Sequence, residues 1–575
     1  MRLVRFGILA CAVVVAVVQV TPGVATGANV RVTVDAGSSY VSADMLGGTG
    51  TYTDSTLARC GVDRRMQNEP TLALDPRNPA VRTSGSNDYC TVPTNGDAWA
   101  GFYRSANSGA AWTDSLLPGY VLDSSPQGTA SPIHQMALGG ASAAGDPVQA
   151  WDKNGNLFFM GNNFNRGTEN GVSARFRDNT GDVWVATYAP ANPSDNTTDG
   201  SRYVRTVILA TNTFGQGSFN DKTGIQVDQT SGNIYAAWSD FHGSGCNQID
   251  IARSTDHGAT FSAPLKISGS ICNNQGPNIG IGPSGQVYVS WFGQVSGTFG
   301  QNTHVQGAAF AVSNDFGKSF GMANVVVPFS PFTSGAFSGN GSRDCGDTPF
   351  ACPSGETFPR FDLAQPTIAT DGNAIYMAFM AQLPSGQGQT QFVKSTDGGA
   401  SWTAAAAVDS QPVGHQFFPW ITASAGTISV VYYDSRADGA NYSPLRAPCN
   451  SATGVGSACL AVWYSASADG GKTWTHQVLT DTLTNPNFEQ FGGRLVPFFG
   501  DYIMVSAVGD QIAAVWTDSR NVAPGVDTAS GSDMDGNDVA GDPETGGSCT
   551  SSFTACFDGT GGLDQNIYTT NVSLS

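Results

Sequence analysis

One octapeptide recurs along the chain and limits what it can fold into. It reads Ser254-Thr-Asp256-His-Gly258-Ala-Thr-Phe261, then Ser313-Asn-Asp315-Phe-Gly317-Lys-Ser-Phe320, Ser395-Thr-Asp397-Gly-Gly399-Ala-Ser-Trp402 and Ser467-Ala-Asp469-Gly-Gly471-Lys-Thr-Trp474. A further copy, Ser105-Ala-Asn107-Ser-Gly109-Ala-Ala-Trp112, has Asn for Asp, and another is worn down to Asn179, Gly181 and Trp184. The carboxylate of such a pattern can bond backbone N–H groups two residues on and pin a tight turn. Glycine supplies a positive φ there, and the closing aromatic packs under a sheet. Repeats of this length bury their apolar faces only against one another, so the chain must be an array of like units.

A second repeat lies upstream of each octapeptide: a short strand often opened by Pro, a turn, and a strand ending in an aromatic and a polar residue. Its starts are Glu69-Pro70, Asp146-Pro147, Asp221-Lys222, Gly276-Pro277, Gln365-Pro366, Phe418-Pro419 and Asp501-Tyr502. These make seven units. The SxDxGxxW pattern resembles the Asp-box, or BNR repeat, of the sialidase superfamily. The resemblance implies an all-β chain, a β-propeller of Asp-box blades with four strands each. Seven blades are favoured by the count of units, and six are the alternative because sialidases of the superfamily have six. It also implies that each box sits on the turn between the outer two strands, on the face opposite the binding site. The box aspartates are then structural. The last unit lacks a box and falls one strand short, and the alternating segment Val30 to Val34 is free to supply that strand and hide two sheet edges.

Residues 1–28 read as a secretory signal peptide: Arg2 and Arg5, an apolar run from Phe6 to Val20, then the small residues Ala25, Gly27 and Ala28. The remainder, 29–575, reads as one propeller domain with long inter-strand loops, secreted and without a membrane span. Composition agrees, since 71 Gly with 31 Phe, 16 Tyr and 11 Trp suits many short strands and tight turns. The formal net charge of -19 repels phosphate backbones and excludes nucleic acid as a partner class. Ten cysteines outside the leader fall in sequence-near couples, Cys60 with Cys90, Cys246 with Cys272, Cys345 with Cys352, Cys449 with Cys459 and Cys549 with Cys556. In an exported chain this clustering predicts five local disulfides.

In a propeller the start of the innermost strand and the end of the second strand meet at one rim of the central channel. Reading by column gives Glu69, Asp146, Asp221, Gly276, Gln365, Phe418 and Asp501 for the first. The second is Asn87, Asn163, Asp240, Gly293, Ala381, Asp434 and Asp518. Glycoside hydrolysis needs two carboxyl groups, or in sialidases a Tyr nucleophile assisted by a carboxylate. Crowded carboxylates push one another's pKa upward, as an acid catalyst requires. The candidate catalytic residues are therefore Glu69, Asp146, Asp221, Asp501 and Tyr433. Sialidases also grip a substrate carboxylate with three Arg, and Arg360, Arg436 and Arg520 are the candidates for such a trio. Asp434, Asp518 and Asp240 complete the candidate substrate-binding set. In the competing reading, Asp434 and Asp518 bond backbone and pair with the Arg two residues on.

One loop alternates oxygen ligands around a glycine. Asp533, Asp535, Asn537 and Asp538 are candidate calcium ligands, although the bidentate Glu of an EF-hand loop is missing. No cofactor is required by the rest of the reading. The function expected from the resemblance is that of a secreted, monomeric protein acting on a glycan or polysaccharide, an exo-glycosidase in the first instance. A non-catalytic carbohydrate- or protein-binding propeller is the rival. A polysaccharide lyase, with His242 and His415 in view, is the third reading.

Overall fold

A computed structural model describes residues 28–34, 40–62, 66–91, 98–164, 181–212, 218–242, 246–295, 304–332, 365–444, 458–486, 499–521 and 565–573, with 94, 448–451 and 454–455. Apart from a small hairpin, Asn450–Ser451 with Gly454–Val455, the described strands form seven antiparallel four-stranded sheets, arranged as a seven-bladed propeller. The first blade runs Gln67–Leu74, Arg82–Asp88, Trp99–Ser105, Thr113–Leu116. The next five begin at Ala143, Ser218, Cys272, Thr367 and Gln416. The seventh takes Met504–Val508, Gln511–Asp518 and Asn566–Val572 from the end of the chain and Val30–Arg31 from its beginning. Val30 pairs with Thr569 and Arg31 with Tyr568, and the N–H of Val32 donates to the Ile567 carbonyl at 2.8 Å. The expected N-terminal strand thus completes the seventh blade as its outermost strand and closes the ring.

The box chemistry differs in one detail from the sequence expectation. The Asp256 carboxylate accepts from the N–H of Thr260, four residues on, at 2.9 Å, and from the Thr260 hydroxyl at 2.6 Å. Asp315, Asp397 and Asp469 hold Ser319, Ser401 and Thr473 in the same way. The box serine bonds the glycine N–H, as Ser254 does to Gly258 at 2.9 Å. The box glycine also decides how blades nest. A Cβ on Gly399 would lie 2.3 Å from the Phe310 ring of the preceding blade, and one on Gly471 2.2 Å from Phe392. Trp402 and Trp474 then meet the same two rings edge to face, with centroids 5.4 and 5.2 Å apart. The worn copy in the second blade is not a box. Gly181 and Trp184 lie inside its third strand, Gly181–Ala189, and the turn that follows is built instead around Asn196–Thr198.

Cys60–Cys90, Cys246–Cys272 and Cys449–Cys459 are bonded as expected. The couples Cys345/Cys352 and Cys549/Cys556, the leader 1–27, Arg360 and the acidic loop with Asp533, Asp535, Asn537 and Asp538 lie outside the described residues. Among the described residues no helix is long and apolar enough to cross a membrane.

Candidate functional site

Five of the seven innermost strands carry an irregularity near their start. The ladder to the second strand shifts register between Asn68 and Thr71, Gly145 and Val148, Asp221 and Thr223, Gln275 and Asn278, and Phe417 and Trp420. In four of these the inserted pair is X-Pro, and proline lacks the N–H that a bulge leaves unpaired. The residue at the break has a positive φ: Glu69 at 57°, Asp146 at 51°, Lys222 at 49°, Gly276 at 69° and Phe418 at 52°. Four of these are not glycine. Left-handed backbone at non-glycine residues is costly, and its repetition marks a constraint imposed by the rim.

The bulges bring charge together. Lys222, on the third blade, extends its ammonium to Asp501 of the seventh blade at 2.7 Å, Asp146 of the second at 3.5 Å and Glu69 of the first at 3.8 Å. Glu69, Asp146, Asp501 and Lys222 are buried, and Asp221 beside them is half-buried. Asn87 donates to Glu69 Oε2 at 2.8 Å and accepts from the Asp146 N–H at 2.9 Å. Asn162 donates to the Asp221 carboxylate at 3.3 Å. The Tyr502 hydroxyl crosses from the seventh blade to the Pro147 carbonyl of the second at 3.2 Å.

Four carboxyl groups facing one ammonium in a buried setting cannot all ionise. Burial raises the pKa of Glu69 well above its usual range, against the pull of Lys222 and with the push of Asp146. Asp221 is raised for the same first reason, burial, and then by Asp146. Asp146 goes the other way. Burial raises it, but the Lys222 charge and hydrogen bonds from Asp221, Glu69 and the Lys222 N–H outweigh burial and hold it below the ordinary carboxylate range. The three carboxyl groups are thus pushed apart, Glu69 and Asp221 toward the protonated form and Asp146 toward the ionised one. Burial opposes the Lys222 charge, yet the surrounding carboxylates keep it fully protonated.

The four carboxylates expected to converge do so, although two occupy neighbouring rather than equivalent positions. The bulge residue of the third blade is Lys222, not Asp221, and in the seventh blade the ladder register puts Tyr502 at the matching position, with Asp501 one residue before it. The second column slips once as well. Asp88, which pairs with Gln67, is the counterpart of Asp434 and Asp518, and Asn87 stands one residue inward. Lys222 was not singled out by sequence reasoning. The signal available was a lone basic residue inside a column of acids.

The other candidates serve blade packing. Tyr433 is buried, with its hydroxyl donating to the Thr517 carbonyl of the next blade at 2.8 Å and accepting from the Thr517 N–H at 3.0 Å. The structure does not bring it to the carboxylates. Asp434 accepts from the N–H and guanidinium of Arg436 at 2.7 and 2.6 Å, and Asp518 from those of Arg520 at 2.8 and 2.7 Å. Arg436 also pairs with Asp409 and lies 3.6 Å over the Trp463 ring; Arg520 pairs with Asp481 and lies 4.2 Å over Tyr568. Asp240 accepts from Gln248 at 3.3 Å within its own blade. His415 is buried, accepting from the Gly388 N–H at 3.1 Å.

Beyond the bulges the inner strands enclose a channel of about 320 Å³, lined among others by Gln149, Asn278, Thr370, Trp420 and Ser506. This lining stops short of the charged cluster and lies toward the box end of the strands.

The sequence matches no family model and no curated protein. Solved structures that align with it include a Hadza microbial sialidase (13% identity, 73% of this chain and 71% of that one, TM-score 0.40). An α-L-arabinanase of Penicillium chrysogenum complexed with arabinobiose aligns at 12% identity, 71% of this chain and 94% of that one, TM-score 0.39. An ulvan lyase aligns at 14% identity, 79% and 91%, TM-score 0.36. No residue role passes from them to this chain.

Proposed function

We propose that the protein is an exported glycan-acting propeller and that its rim cluster is the acid–base centre of a glycoside hydrolase. One observation carries this reading: carboxyl groups of the first, second and seventh blades meet around the buried Lys222 ammonium at the ring end opposite the boxes, beside Asp221, with burial driving Asp221 up and Lys222 holding Asp146 down. Such a split is the electrostatic requirement for one group to protonate a leaving glycosidic oxygen while another stays negative. Asp221 is the member open enough to meet a ligand, so it takes the role of acid. Asp146 and Asp501 supply negative charge, and Lys222 positions them.

The test is turnover of a panel of aryl glycosides by the mature chain, repeated with Asp221→Asn. Replacement should abolish turnover and leave the circular dichroism spectrum and melting temperature nearly unchanged. Unchanged turnover in the variant, or none by the wild type on any glycoside, overturns the reading. The burial of Glu69, 1% exposed, and of Asp501, 3% exposed, favours a second reading. In it the cluster is a strut across a non-catalytic binding propeller, and replacements lower stability without changing any product.

A further inference from the structure

The channel toward the box end is a cavity that the rim chemistry does not use. Its volume of about 320 Å³ falls at the lower end of the range for small-molecule sites, about 300–1,000 Å³. Inner strands of all seven blades form its wall. Each inner strand bonds its sheet neighbour along one edge and turns the other edge to the channel, so alternate backbone groups point inward. Side chains close some of these groups. Gln226 accepts from the Val227 N–H at 2.9 Å, and Asn278 from the Ile368 N–H of the next blade at 2.9 Å. The Thr370 hydroxyl donates back to the Ile281 carbonyl at 2.7 Å.

Gln149 of the second blade lines the same channel and differs. Its amide oxygen and its amide nitrogen are both buried, and neither has a hydrogen-bond partner among the described residues. A buried amide left so keeps its full desolvation penalty, and such a group calls for an explanation. The Gln149 backbone N–H faces the channel as well. Asp152 donates to the Asn156 carbonyl at the end of this strand, and alternation turns Gln149 the other way. Trp420 of the sixth blade, half-buried, adds an indole to the wall.

We infer that the box end of the channel is a second binding site, built for one neutral polyhydroxylated molecule of sugar-ring size, with Gln149 as its anchor and Trp420 as its apolar wall. A primary amide presents an acceptor and two donors at one point; a hydroxyl group answers both, whereas a carboxylate only accepts and an ammonium only donates. The C–H face of a sugar ring suits the indole. A free monosaccharide and the end residue of a longer glycan share this chemistry. The site lies apart from the rim and does not depend on the hydrolase reading.

The test is calorimetric titration of the mature chain with neutral monosaccharides and, in a second arm, with neutral trisaccharides. Saturable binding in the first arm assigns a free sugar, and binding in the second alone assigns a glycan end. Binding should weaken at least about tenfold in Gln149→Met, which keeps the length of the side chain and removes its hydrogen bonds. That variant should melt no lower than wild type, since it deletes an unmet polar group. Asp221→Asn, at the other end, should bind as wild type does. Hydrogen exchange of the wild-type chain locates the sugar without a variant, and decides alone if Gln149→Met does not fold: exchange should slow at 148–151 and 420–423 and stay unchanged at 221–223. No binding in either arm, full binding by Gln149→Met, loss of binding in Asp221→Asn, or slowing confined to 221–223 overturns the inference. Turnover of aryl glycosides is read separately, so its absence sinks the hydrolase reading and leaves the channel site standing.

Discussion

The two ends of the propeller use carboxylates in opposite ways. At the box end Asp256, Asp397 and Asp469 are exposed and Asp315 is half-buried, and each is bonded to its own turn in the same way. At the other end Glu69, Asp146, Asp221 and Asp501 come from four blades, differ in burial and ionisation, and depend on a single lysine. Repetition therefore tracks folding, since a turn that must form several times has one solution copied. Departure from repetition tracks the place where the blades stop being equivalent. The bulges are shared by both descriptions: the backbone device recurs in five blades, while the residue it aims inward changes from Glu to Asp to Lys to Gly to Phe.

The largest effect should come from removing the one centre the rim carboxylates share. Lys222→Met leaves Asp146 and Asp501 buried without their counter-charge, which should lower stability by about 3–5 kcal/mol in urea unfolding. Because the carboxylates can take up protons instead, the loss should shrink as the pH is lowered toward 4. A Lys222→Met chain as stable as wild type at neutral pH would reduce the cluster to a surface-like network and erase the contrast between the two ends.

Next in size are the box glycines. Gly471→Ala puts a Cβ into the Phe392 ring at a φ of 86°, so overpacking and backbone strain act together, and about 1–3 kcal/mol should be lost. Gly398→Ala, at φ 72° with nothing within 4 Å, meets strain alone and should cost less. Equal losses in the two variants would mean that the glycine serves only the turn and does not set blade spacing.

These contrasts also mark what the sequence could carry. Blade count, ring closure by the N-terminal strand and three cysteine couples followed from repeats and from unassigned segments, because each rests on local pattern. The rim was harder. A bulge breaks the two-residue alternation without announcing which residue is extra, so Asp221 and Asp501 stand one place before the matching residues Lys222 and Tyr502. Tyr433, the nearest match to the nucleophile of the resemblance, stands next to Asp434, yet alternation along a strand turns adjacent side chains to opposite faces, and Tyr433 points to Thr517. Arg436 and Arg520 stand two residues after an Asp, a spacing that fits a capped strand end as well as a binding site. Only the partners seen in three dimensions separate the two.

The rim should also lose stability with rising pH. Glu69 and Asp221 have folded pKa values raised above their unfolded ones, so their contribution is complete below about pH 4 and is lost as the pH climbs through the raised values. Glu69→Gln, which imitates the protonated acid, should flatten that decline in denaturation curves measured from pH 5 to 9. A decline of the same slope in the variant would remove Glu69 from the groups that produce it.

The smallest effect belongs to the boxes, and its sign is opposite. Hydrogen bonds from the Thr260 hydroxyl and N–H bring Asp256 down to about 2, and those from Ser401 do the same for Asp397. Asp315 and Asp469 are lowered by the matching bonds from Ser319 and Thr473. A carboxylate depressed below its unfolded value of about 3.9 stabilises the fold above that pH and loses the contribution as the pH falls through the folded value, here between about 4 and 2. Three of the aspartates are exposed and Asp315 is half-buried, so solvent screens the interaction and one box alone should scarcely register. All four act in the same direction, however, and Asp→Asn at the four positions together should make the acid limb of the stability profile shallower while leaving the limb above pH 5 where it was. Asn107 in the first blade already shows that the amide is tolerated, accepting from the Ala111 N–H at 2.9 Å. If the fourfold variant instead altered the alkaline limb, the boxes and the rim would be coupled through the blades, and the separation of turn chemistry from site chemistry drawn here would fail.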